Sequence, residues 1–177
     1  LSNVAKKFRD IEIYDRNLGN EKFAFPASFQ SHIKGSLSYS DIDRAYKGYR
    51  YGINVSTVQN SSTMFARRIY ELLASNTVVL SNYARGVKTL LGNLVLASDN
   101  EEFLLSQLKR YAENEYDYRR FRLLGLRKVM REHTYAARLD YICHVLGLQE
   151  YNSNAEVLLI ACVKNREEKN DIISTFR

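Results

Sequence analysis

Apolar positions follow two rhythms along this chain, one mixed and one helical. Over residues 53–86, INVSTVQNSSTMFARRIYELLASNTVVLSNYARG, the pattern gives a strand, a polar loop, an amphipathic helix, a tight turn and a second strand. Phe65, Ile69, Leu72 and Leu73 recur at i, i+4, i+7 and i+8, one stripe of a helix over 64–75. Thr63 is the N-cap this pattern predicts. TVVLS at 77–81 is β-branched and apolar, as strands covered on both faces of a parallel sheet are.

Upstream, residues 7–14 alternate loosely and end at the turn signal Asp15-Arg16-Asn17, which predicts a strand. A short strand is expected before Gly35. Ser40 is then the expected cap of a helix over DIDRAYKGY, with Asp41 and Asp43 in its first turn, and residues 51–55 form another strand. Residues 87–91 make a helical turn ended by Gly92, and LVLAS at 94–98 a further strand. From Asn100 the rhythm is helical. Asp99 or Asn100 caps one helix, a charged helix runs from about Tyr116 to Arg131, and Thr134 caps a third. In that third helix Tyr135, Leu139, Ile142, Cys143 and Leu146 share an apolar stripe, closed by Gly147. Residues 149–154 are a polar break, followed by the strand-like EVLLIACVK and the helix-like REEKNDIISTF. Strands alternating with helices imply an α/β fold, a Rossmann-like parallel sheet flanked by helices with further C-terminal helices. The expected division is 1–148 and 149–177.

Composition narrows the class without naming it. A length of 177 residues, 45% hydrophobic and 26% charged, allows a full domain with its own core. A single proline argues against proline-rich linkers, and no apolar run reaches membrane-spanning length. Cys143 and Cys162 lack metal-ligand spacing and are expected as buried, reduced thiols, and His32, His133 and His144 are too scattered for a metal site. No metal or cofactor is therefore expected, and the location expected is cytoplasmic, with the inner face of the membrane left open. The chain opens at Leu1 and closes within a predicted helix, which suggests a piece of a longer protein. Most of the net charge of +6 lies in residues 1–100, a bias that suits nucleotide phosphates, nucleic acid or an anionic membrane about equally.

The candidate chemistry gathers on the 53–86 unit. A helical carboxylate near the carboxyl edge of a parallel sheet can accept both hydroxyls of a ribose, and Glu71 is so placed. As plain structure, Glu71 is instead the partner of Arg67 in an i,i+4 surface pair. Arg67 and Arg68 could hold a diphosphate with the free N–H groups of the helix start, or could be solvated charge. Asn60, Ser62 and Thr63 belong to a loop of small polar residues that could wrap phosphates or merely cap the helix. Gly35, after His32 and Lys34, permits a close backbone approach, as would any turn glycine. Arg85 follows the buried strand at a phosphate-contacting place, in what is otherwise a plain βα turn. The run YDYRRFRLLGLRKVMR has the look of a nucleic-acid or membrane surface helix. The acidic neighbours Glu113, Glu115, Asp117 and Glu132 offset its charge and favour a solvated face. It supports an alternative function, a non-catalytic interaction domain binding nucleic acid or an anionic surface. No Walker-type loop, nucleophile elbow or dinucleotide glycine fingerprint is present.

Several of these segments resemble the C-terminal half of GT-B glycosyltransferases, in particular the spore-maturation-protein-like group. They are RIYELLASNTVVLSNYARGVKTLLG, YRYGINVST, FQSHIKGSLSYSDIDRAYKG and EHTYAARLDYICHVLG, together spanning about residues 10–147. The resemblance implies a glycosyltransferase domain that binds a nucleotide-diphosphate sugar, its substrate rather than a cofactor, within 1–148. It implies Glu71 on the donor ribose, with Arg68 and the helix start toward the diphosphate. Many relatives carry a second Glu where Thr63 stands, which leaves the transferred sugar open. The implied partners are a glycan, lipid-linked or protein acceptor and an N-terminal half of the same protein, with no nucleic acid and with peripheral membrane association left open. Residues 155–177 resemble the start of a family-2-type glycosyltransferase domain.

Overall fold

The computed structural model describes residues 11–148 together with 165, 166 and 170. Residues 7–10 of the first expected strand, the polar break, Cys162, the strand expected after the break and all but Arg166 and Asn170 of the helix expected after it lie outside the described residues.

Three parallel strands make the central sheet: β3 (Tyr51–Asn54), β4 (Val78–Ser81) and β5 (Leu96–Ala97), in the order β3-β4-β5. Tyr51 pairs with Val78, Asn54 with Ser81, and Leu80 with Leu96. All four residues of β4 are buried, as its β-branched sequence predicts. A second, two-stranded parallel sheet pairs β1 (Ile13–Tyr14) with β2 (Ile33–Gly35). Nothing in the sequence pattern separated these two strands from the larger sheet, because pairing partners leave no mark on periodicity.

Around the sheet lie α1 (Ile42–Gly48), α2 (Arg68–Ala74), α3 (Arg85–Leu91), α4 (Glu101–Glu113), α5 (Glu115–Glu132) and α6 (Tyr135–Val145). Because side chains alternate along β4, its two faces build two cores. Val79 packs with Ile69, Leu72 and Leu73 of α2, Val87 and Leu91 of α3, and Val129 of α5. Val78 and Leu80 pack with Leu104, Leu108 and Tyr111 of α4 and Tyr118 of α5. The fold is thus an α/β, Rossmann-like arrangement of parallel strands flanked by helices on both faces. Helix α5 contributes Tyr118 to one core and Val129 to the other, so it passes from face to face. Gly125, midway, lets α5 approach α2: a Cβ there would lie 2.7 Å from Cδ2 of Leu73.

Local chemistry moves two of the expected boundaries and settles two others. α2 begins at Arg68, not at 64, because Ser61 Oγ accepts the N–H groups of Thr63 and Met64 (3.3 and 3.0 Å) and closes a side-chain turn. Thr63 is therefore a loop residue and not the N-cap; that place belongs to Arg67, without a side-chain cap bond. Likewise Ser40 does not cap α1, since its hydroxyl pairs with that of Ser38 at 2.7 Å and Asp41 holds the cap position. At α4 the cap is Asn100, whose Oδ1 accepts the N–H of Phe103 at 2.9 Å. Thr134 does cap α6, accepting from the N–H of Ala137 at 3.2 Å. α2 ends in a Schellman turn on Asn76 (φ 58°), with N–H bonds from Thr77 to Leu72 and from Asn76 to Leu73, both 3.0 Å.

The chain divides into two compact units between Leu139 and Asp140. In the second, α6 closes on Gly147 (φ 67°), whose N–H bonds the His144 carbonyl at 3.0 Å while that of Leu148 reaches Cys143 at 2.8 Å. The expected apolar stripe of α6 is exposed at Tyr135, Leu139, Ile142 and Leu146, and Cys143 is a free, half-buried thiol rather than a buried one. Helical periodicity marks a face but not what covers it.

Candidate functional site

The carboxyl ends of β3 and β4 finish in polar residues that bind one another. Asn54, buried, donates through Nδ2 to Ser56 Oγ and Ser81 Oγ, each at 3.1 Å. Asn82 clamps the Ser56 backbone from both sides, accepting its N–H at 2.7 Å and donating to its carbonyl at 2.9 Å. Asp99 accepts the N–H of Tyr83 at 3.1 Å. These groups fix the start of the 55–67 loop. The sequence reading missed them, although polar residues ending two adjacent apolar strands were the available signal.

That loop then leans on α3. Arg85 donates its backbone N–H to the Gln59 carbonyl at 2.7 Å. Gly86 permits the approach, for a Cβ there would stand 3.0 Å from Phe65 Cδ1 and 3.2 Å from the Ser61 carbonyl oxygen. Asn60, Ser62 and Thr63 are exposed on the loop, and Arg67, Arg68 and Arg85 are exposed at the helix starts.

Glu71 lies one turn into α2, roughly 4.5 Å along the axis from Arg68. Its Oε1 accepts from Arg67 Nε at 2.7 Å and its Oε2 from the Tyr46 hydroxyl at 3.3 Å. The i,i+4 surface pair is thus present. It is an exposed pair, with side-chain exposures of 67% for Arg67 and 30% for Glu71, and such pairs contribute only about 0.3–0.5 kcal/mol. A ligand can displace it cheaply. Burial and then the Glu71 carboxylate push the Tyr46 phenol up, while the Arg68 guanidinium opposes them from close by. The bond to Glu71 raises Arg67 further, and Tyr39 and Tyr135 also stand within electrostatic reach of it.

The structure therefore brings Arg67, Arg68 and Glu71 together with Tyr46, which sequence reasoning did not single out. His32, Lys34 and Gly35 form a different group around β2. The His32 ring Nδ1 is 3.1 Å from the Ile11 carbonyl, Lys34 pairs with Glu12 at 3.5 Å, and Gly35 has φ +134°. No hydrogen bond or ion pair among the described residues joins this group to Glu71.

A third cluster comes from the EHTYAAR segment. Arg138 Nη2 lies 2.9 Å from His133 Nδ1 and donates to the Tyr70 hydroxyl at 3.3 Å. Because arginine only donates, Nδ1 is the acceptor and His133 is neutral. The Tyr70 ring makes tilted contacts with both His133 (centroids 4.9 Å apart) and Phe65 (5.1 Å). The cluster thus ties the end of α5 and the start of α6 to α2 and its preceding loop.

Among the described residues, no group of His, Cys, Asp and Glu could hold a metal ion, and no helix is long and apolar enough to cross a membrane. The family model described as "Glycosyl transferase-like" matches residues 7–144. No curated protein and no solved structure matches the chain.

Proposed function

The chain belongs to the glycosyl transferase-like family, and on that premise we propose that it is the donor-binding domain of a GT-B glycosyltransferase of the spore-maturation-protein-like group. It binds a nucleotide-diphosphate sugar, as part of a longer enzyme that transfers the sugar to a cell-surface, polysaccharide or protein acceptor. The reading rests on Glu71. Its carboxylate is partly exposed on the helix that follows the carboxyl-edge loop, and its present partners are a weak surface arginine and one phenol. Charge-assisted hydrogen bonds from the two ribose hydroxyls, about 1.5–3 kcal/mol each when desolvated, outweigh that surface pair. Arg68 and Arg67, freed or shared, face the diphosphate with the 59–63 loop and Arg85 beside them. Thr63 occupies the place where relatives carry a sugar-contacting Glu, so the sugar is held differently here.

Titration calorimetry with uridine, guanosine and thymidine diphosphates tests the assignment. At least one should bind, with Glu71→Ala weakening it by tenfold or more. No binding by any of them, or an affinity that Glu71→Ala leaves unchanged, would remove Glu71 from the site. The arginines balance the diphosphate without a cation in this reading, so a chelator should leave the affinity as it was.

A further inference from the structure

Helix α5 presents an outer face of an unusual kind. Tyr116, Arg120, Leu123, Leu124, Arg127 and Met130 recur at three- and four-residue spacing and fall within one arc of the helix. The apolar members are exposed by 73, 39, 42 and 52% for Tyr116, Leu123, Leu124 and Met130. The opposite side, with Tyr118, Gly125 and Val129, is buried in the protein. A solvated helix face would mix acids with these arginines, but the acids of this region are engaged elsewhere. Glu113 pairs with Lys109, Glu115 with Arg50 and Arg119, Asp117 with Arg110, and Glu132 with Lys128 and Arg131. Arg120 and Arg127 have no ion-pair partner among the described residues.

We propose that the exposed face of α5 docks the protein on an anionic lipid bilayer. Arg120 and Arg127 meet the headgroup phosphates, while Leu123, Leu124 and Met130 enter the boundary between headgroups and acyl chains. Along the axis the two arginines bracket Leu123 and Leu124, so cationic and apolar side chains share one face that suits a helix lying in the plane of the surface. Nucleic acid would satisfy the arginines and leave three apolar tips in water, so the lipid surface accounts for more of the face. The inference is independent of nucleotide binding, because none of these residues belongs to the Glu71 cluster.

Co-sedimentation with vesicles decides it. The chain should sediment with vesicles of phosphatidylcholine and phosphatidylglycerol in equal parts, less so as salt is raised, and remain in solution with phosphatidylcholine alone. Arg120→Gln with Arg127→Gln should lower the partition by about thirtyfold, the factor that two basic contacts supply at an anionic surface. Arg120→Lys with Arg127→Lys should retain it, and Leu123→Ser with Leu124→Ser should lower it while nucleotide affinity is unchanged. Equal sedimentation with both vesicle types, or a partition that the glutamine pair leaves unaltered, would overturn the proposal. So would absence from vesicles together with retention on an immobilised oligonucleotide that the glutamine pair abolishes.

Discussion

His133 carries a pH signature of its own. Burial first, then the Arg138 and Lys128 charges, hold its imidazole below the ordinary 6.5, so the folded state binds its proton less readily than the unfolded chain does. Its stabilising contribution is present in full above the unfolded value and is lost as pH falls through the folded one. Thermal melting followed from about pH 7 to pH 5 should show a steeper decline for the wild type than for His133→Gln, which cannot titrate there. Glu132 acts lower on the scale: Lys128 and then Arg131 hold its carboxyl down to about 2, so its own loss falls between 4.5 and that value. Asn82 is a second test at this scale. Asn82→Ala deletes both bonds to the Ser56 backbone and should cost about 1–3 kcal/mol by urea denaturation. Glu71 and Arg67 were legible because i,i+4 spacing is a local property. Tyr46 was not, since its hydroxyl reaches Glu71 only through the packing of α1 on α2, across 25 residues of chain.

Two glycines separate the elements by how tightly they pack. A Cβ at Gly52 of β3 would stand 2.5 and 2.8 Å from the two methyls of Leu72 and 3.2 Å from its Cγ, so the whole buried side chain must move. At Gly125 only Cδ2 of Leu73 is crowded, at 2.7 Å. Overpacking costs about 1–3 kcal/mol, and in α5 an alanine returns about 1 kcal/mol of helix propensity. Gly52→Ala should therefore lower stability clearly more than Gly125→Ala, a ranking that chemical denaturation reads directly. Most elements were visible as periodicity, and the caps Asn100 and Thr134 as residue types. The start of α2 was misread because Phe65 fits the helical stripe; its ring instead meets that of Tyr70 from the loop, at 5.1 Å. Competition from the Ser61 hydroxyl for backbone N–H groups is what a hydrophobic pattern cannot express.

Across the molecule, stability is unevenly shared between the two sheets. β4 is central, bonded on both sides and buried throughout, whereas no residue of β1 or β2 is fully buried and two-stranded sheets are marginal by themselves. Native-state hydrogen exchange should find the slowest amides in β4 and markedly faster ones at Tyr14 and Lys34. The α/β class was legible because alternating strands and helices dictate it; the separation into two sheets depends on pairing partners, which are set by three-dimensional closure alone.

The passage of α5 from one core to the other has a consequence for how the protein is made. As the chain leaves the ribosome, β3, β4, β5 and α2 to α4 can be assembled in outline, but the core around Leu104 and Leu108 still lacks Tyr118, and the core around Ile69 and Leu91 lacks Val129. Neither apolar face is sealed until synthesis has passed residue 118, and the face around Ile69 and Leu91 stays open until residue 129. A nascent chain stalled before residue 118 carries two unfinished faces at once, and that interval of translation is when it most needs a chaperone.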